Sequence, residues 1–166
     1  MVASAHRLLV AIDKPLLVGM TQRIEEYALI GDCESAALVG RDGSIDWLCW
    51  PRFDSGAVFA NLLGGAHNGR WSIAAADAGA RISRSYRRNS LILETTIETG
   101  RGAVKVIDFM PINSRGTSHL VRLVCGLRGS MKMTTEFVIR FDYGSIVPWV
   151  TRLGDTSLMA LSLIHI

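Results

Sequence analysis

The chain has 166 residues, 49% of them hydrophobic, and eighteen Lys and Arg against fifteen Asp and Glu give it a formal charge of +3. That length holds one domain with an ordinary core, and its bases are interspersed with acids rather than run together, which argues against a nucleic-acid partner. No apolar run reaches the roughly 18 residues a bilayer demands, because Asp13 and Lys14 interrupt the stretch from Leu8 to Met20; neither a membrane span nor a signal-peptide core is expected.

Residues 1–19 carry no sharp pattern and read as an extension of doubtful origin, with Met20-Thr21-Gln22-Arg23 an ordinary start. From Ile24 onward short apolar runs alternate with Gly, Asp, Asn and Ser clusters about every eight to twelve residues, an all-β rhythm. Strands are predicted at 36–39 and 45–50, joined by Gly40-Arg41-Asp42-Gly43, whose Asp-Gly pair tolerates the positive φ of a tight hairpin. A short helix is predicted at 57–63, where Val58, Phe59, Leu62 and Leu63 fall at helical spacing before Gly64-Gly65 stops it. The cluster Arg81, Arg84, Arg87 and Arg88 has only Tyr86 beside it as a stacking platform and is expected on a solvated strand and turn.

A second hairpin is predicted from 91–98 and 103–110 around Thr99-Gly100-Arg101-Gly102, and a third from 120–127 and 131–141 around Arg128-Gly129-Ser130. In the last run Met131, Met133, Thr135, Phe137, Ile139 and Phe141 share one face, and the other face is largely polar. Half-buried antiparallel strands need a second apolar surface, and with little helical sequence that surface is another sheet. The fold class is therefore all-β, an antiparallel β-sandwich built from consecutive hairpins with one short helix, and the domain is placed at 20–155.

Cys33, Cys49 and Cys125 are odd in number and lack metal-ligand spacing, so they read as buried thiols of a protein in the reducing cytoplasm, with no metal site. The densest unusual patch is Ile45-Asp46-Trp47-Leu48-Cys49-Trp50-Pro51-Arg52-Phe53-Asp54-Ser55. Strand alternation makes Trp47 the core candidate and Trp50 the freer ring. Pro51 cannot donate to a ladder, so the strand should end there and Arg52-Phe53-Asp54 should form a loop at the sheet's rim, where function concentrates. An aromatic face with charged groups suits sugar, and Trp50, Arg52 and Asp54 offer that set. The alternative is a local Arg52–Asp54 salt bridge that holds the loop while Trp50 packs against a neighbouring domain.

Asp32, Glu34, Asp42, Asp46, Asp54, Asp108 and Asp142 are enough carboxylates for a glycosidase pair, but an inverting pair must sit about 6.5–9.5 Å apart across a cleft, and no catalytic residue is assigned. Asp42 belongs to its turn, and Asp108 and Asp142 are expected at solvent-facing or strand-end positions. His6, His67, His119 and His165 lie in tails or turns, and no GxSxG, GxGxxG or GxxxxGK[ST] is present, so no cofactor is expected.

The stretches Ile24-Glu25-Glu26-Tyr27-Ala28-Leu29-Ile30-Gly31-Asp32-Cys33, Ser35-Ala36-Ala37-Leu38-Val39 and Asp42 to Ser55 resemble the opening of the trehalase-like branch of glycoside hydrolase family 15. So do Gly69-Arg70-Trp71, Leu93-Glu94-Thr95, Val106 to Pro111, Leu120-Val121-Arg122 and Arg140 to Gly144. The resemblance implies an amino-terminal β-sandwich that braces a barrel of paired α-helices, absent here, in which two glutamates hydrolyse α-glucosidic bonds of trehalose or α-glucans with inversion. It further implies that Trp50, Arg52, Phe53 and Asp54 contribute to the substrate rim or the domain interface and that the fragment alone is inactive. A stand-alone carbohydrate-binding module is the competing reading. Residues 156–166 depart from the family pattern and read as a truncated or aberrant tail.

Overall fold

Asp42 and Gly43 turn the chain as their chemistry demands. The Asp42 carboxylate accepts the Ser44 N–H at 3.0 Å, and Gly43 stands at φ +85° with Ile73 O only 2.1 Å from where a Cβ would lie. In this computed structural model, which describes residues 22–112 and 117–161, that turn joins β2 (Ala36–Gly40) to β3 (Ser44–Cys49). The strand β1 (Tyr27–Gly31) pairs antiparallel with β2. β4 (Ala57–Ala60) and β5 (Arg70–Ala75) both pair with β3, and β10 (Met133–Val138) pairs with β5 to complete a six-stranded sheet. A second sheet of four strands is an up-and-down meander of β6 (Arg81–Tyr86), β7 (Leu93–Glu98), β8 (Gly102–Phe109) and β9 (Val121–Gly129). The two sheets face each other as a β-sandwich. β11 (Trp149–Arg152) and β12 (Leu158–Leu161) form a separate ribbon, so part of the unusual tail pairs as a strand.

The main core joins the layers through Ile30, Val39, Ile45 and Leu48 of the six-stranded sheet and Leu93 of the meander. A second cluster packs Ile73 on Ile97 and Val106. Burying each such side chain contributes about 1.5–3 kcal/mol. Polar groups cross the interface as well. Arg84 donates to Val39 O and Glu26 O, and Tyr86 accepts from the Leu29 N–H and donates to Leu29 O. Arg87 pairs with Glu94, so these members of the basic cluster are engaged on a strand and turn.

Two hairpins match expectation, and the third does not form. β9 stays in the meander beside β8, whereas β10 crosses to the other layer and pairs with β5. Gly129 closes β9 at φ +62°, where an added Cβ would lie 2.1 Å from Arg101 O. The predicted helix also shrinks. Residues of β4 are all buried, so Val58 and Phe59 lie on a strand, and α1 covers only Asn61–Gly64; a short apolar run satisfies either period. Cys49 alone of the three cysteines is buried, and Cys33 and Cys125 are exposed. The segment 1–19 lies outside the described residues.

Tyr27 sits at the start of β1 and donates its hydroxyl to the buried Asp46 carboxylate at 2.7 Å. Burial first, and then Asp46, push its phenol well above the ordinary tyrosine range. The unfolded chain ionises this group near pH 10 and the folded chain only at higher pH. Its contribution is therefore complete below about pH 10 and is lost as pH rises from there through the folded value. Denaturant titrations between neutral and strongly alkaline pH should show a steeper loss of stability for the native chain than for Tyr27→Phe; equal slopes would refute it.

Candidate functional site at the end of the six-stranded sheet

The chain leaves β3 at Cys49 and returns as β4 at Ala57, and the loop between them lies beside the β1–β2 turn. Asp32 shapes that turn. Its Oδ1 accepts the Glu34 and Ser35 N–H groups at 3.0 and 2.8 Å, and its own N–H donates to Ser35 O. The two loops are tied together by the Phe53 N–H to Glu34 O at 2.9 Å and by the Ser35 hydroxyl donating to Cys49 O. Within the second loop, Arg52 N–H donates to Ser55 Oγ and Ser55 N–H to Arg52 O.

An open depression of about 390 Å³ results, lined by Cys33, Glu34, Arg52, Phe53 and Asp54. Arg52 grips Asp54 with two parallel bonds of 2.9 Å, the fork geometry guanidinium and carboxylate prefer. The Arg52 guanidinium, through hydrogen bonding and then charge, holds the Asp54 carboxyl below the usual range. Both side chains are about two-thirds exposed, and the Phe53 ring is 62% exposed beside them. The rim thus presents one bare aromatic face next to a pre-formed ion pair, a surface suited to a sugar ring or to a planar polar group of another domain.

Arg52, Phe53 and Asp54 accordingly meet on the rim as expected, and the local salt bridge weighed against a ligand role is present. Trp50 differs from expectation. It is half-buried against the main core of Ile30, Leu48 and their neighbours, while Trp47 rests on the smaller cluster of Cys49, Ala57 and Ala60 with the Tyr143 ring 6.0 Å away. Simple alternation misses this because the β2–β3 register shifts at Asp46, between the Val39–Ile45 and Leu38–Trp47 pairs, which puts Leu48 and Trp50 on the same face as Ile45. Trp50 anchors the base of the loop. Asp108 stands next to the end of β8, one of the two positions expected, but it is buried in an ion pair with Arg122 rather than solvent-facing. Asp142 is exposed and Asp42 serves its turn. The Cys33–Glu34 wall of the depression was not singled out in the sequence, where Glu34 entered only among the carboxylates and Cys33 among the thiols.

The family described as "Trehalase-like, N-terminal" matches residues 14–158. The chain belongs to this trehalase-like N-terminal domain family. The trehalase of Mycolicibacterium smegmatis is 32% identical over 165 residues, covering 85% of this chain and 24% of that enzyme. Trehalase 1 of Sulfolobus acidocaldarius is 34% identical over 132 residues, covering 80% and 22%, and the trehalase of Mycobacterium tuberculosis is 30% identical over 138 residues, covering 72% and 20%. This trehalase-like domain therefore spans less than a quarter of the length of these relatives. No solved structure matches it.

Proposed function

We propose that this domain is the non-catalytic amino-terminal part of a glycoside hydrolase acting on α-glucosidic bonds, with trehalose its foremost substrate, and that it braces a catalytic region lying outside the chain. The rim residues Arg52, Phe53 and Asp54 make the contact with that region or with the edge of its substrate site, and Trp50 holds them in place. The observation that carries this reading is the exposed Phe53 beside an ion pair that is already satisfied within the loop. Two carboxylates around it have structural duties: Asp32 organises a turn, and Asp54 is held by Arg52. Exposed thiols at Cys33 and Cys125 fit a reducing compartment, and we place the protein in the cytoplasm.

The test is calorimetric and enzymatic. The purified chain should give flat titrations with trehalose and with maltooligosaccharides and should release no glucose from either. Sugar binding that disappears in Phe53→Ala would instead establish a carbohydrate-binding module, and glucose release would overturn both readings. Because Arg52 and Asp54 are solvated, Arg52→Ala should leave the thermal midpoint of the chain unmoved. A clear drop in that midpoint would mean that the pair holds the loop together.

A further inference from the structure

We propose that the outer edge of β9 receives a further β-strand from the part of the trehalase-type polypeptide that this chain does not cover, lying beneath β10; this rests on the reading of the chain as one domain of a longer enzyme. β9 is the longest strand, Val121–Gly129, and it pairs only with β8. Among the described residues its other edge meets no strand. It has neither proline nor lysine to discourage pairing, and its Arg122 is turned inward into a buried ion pair.

Burial along β9 is abnormal for the edge of a sandwich. Val124 stands opposite Val106 on the inner face, yet Val106 is 2% exposed and Val124 is 48% exposed. Leu123, opposite Ile107 on the outer face, is 46% exposed. Both faces of the strand are therefore open.

The facing sheet shows why. Tyr86 of β6 reaches Leu29 of β1, Arg84 of β6 reaches Val39 of β2, and Arg122 of β9 reaches Trp71 of β5. The meander thus runs out beneath β5, while the upper sheet continues to β10. Phe137 of β10 meets Trp71 and Phe59 edge-on but remains 38% exposed. A fifth strand, about 4.8 Å beyond β9 and about 10 Å below β10, fits that place and would cover Val124 and Phe137 together.

A second copy of the chain does not suit this gap. If two β9 strands paired edge to edge, each copy's β9 would lie beneath its own β5 and also beneath the other's β10, so β10 and the copy's β5 would claim the same space. A strand from the three-quarters or more of the relatives' length that is missing here meets no such conflict.

The chain would be co-expressed with the portion of the Mycolicibacterium smegmatis trehalase that follows its match, and amide exchange measured with and without that portion. In the chain alone, β9 should exchange fastest among the meander strands; in the complex its amides should slow roughly tenfold or more. Val124→Lys, tolerated in the chain because the site is open, should prevent both the protection and the co-purification. Protection of β9 in the chain alone would overturn the proposal, as would a failure to associate. Association that restores trehalose hydrolysis while β9 stays unprotected would also overturn it, yet leave the bracing function standing.

Discussion

Arg122→Ala should lower the unfolding free energy by about 3–5 kcal/mol, the range for breaking a buried ion pair from one side. The Arg122 and Asp108 side chains are 0% and 1% exposed, and they face each other across β8 and β9 with Nε 2.8 Å from Oδ1 and Nη2 3.3 Å from Oδ2. The guanidinium also donates to Trp71 O at 2.6 Å and Gly43 O at 2.8 Å, and lies 5.4 Å from the centre of the Trp71 ring. One side chain thereby links the meander to the six-stranded sheet and satisfies a carboxylate and two carbonyls at once. Alanine strands the Asp108 carboxylate in a dry interior and takes a donor from Trp71 O and from Gly43 O, the latter keeping the Ile73 N–H at 3.1 Å, and the uncompensated charge sets the size of the loss. The measurement is urea unfolding followed by tryptophan fluorescence. Replacing both partners, as in Asp108→Leu with Arg122→Met, should recover part of the loss, because no charge is then stranded, but not all of it, because Trp71 O and Gly43 O still lose the guanidinium as donor. A loss below about 1 kcal/mol for Arg122→Ala would show that water reaches the pair.

Phe59→Ala is expected to cost about 3–5 kcal/mol, combining lost transfer free energy with an unfilled cavity. Phe59 is 2% exposed in the middle of β4, in the cluster with Ile30, Val39 and Leu48, and its ring meets Phe137 edge to face at a centroid distance of 5.8 Å. The backbone around it cannot collapse readily, since β4 is held by β3 on one side and Arg140 N–H donates to Val58 O. Phe59→Leu retains most of the volume and should lose markedly less. Thermal unfolding of the two variants side by side tests the ordering, and equal losses would mean that ring geometry, not volume, governs the site.

The hairpins at 40–43 and 99–102 were legible because a turn is decided by a few adjacent residues. Gly43 takes positive φ, and Thr99 N–H donates to Gly102 O at 2.8 Å with the Thr99 hydroxyl reinforcing the turn. The run 131–141 shows what such local reasoning lacks. Its alternation correctly separates a core face from a wetter face, but alternation is the same whichever strand lies alongside, and β10 found its partner in β5, some sixty residues earlier in the chain. The rim loop divides in the same way. Pro51 ends the strand by its missing N–H, so Arg52, Phe53 and Asp54 could be placed on a loop from sequence, whereas Trp50 depended on a β2–β3 register shift at Asp46 that no pattern announces.

By itself the sequence determined the antiparallel class, the two tight hairpins, the rim position of Arg52, Phe53 and Asp54, and the family, because turn chemistry, period-two alternation and motif identity are properties of neighbouring residues. Only the tertiary structure decided that β10 leaves β9 for the opposite sheet, that Asp108 is buried against Arg122, and that Cys33 and Glu34 complete the depression beside Phe53. Each of those outcomes joins segments far apart in the chain, and burial and pairing between such segments are fixed by which surfaces remain uncovered once the sheets have met.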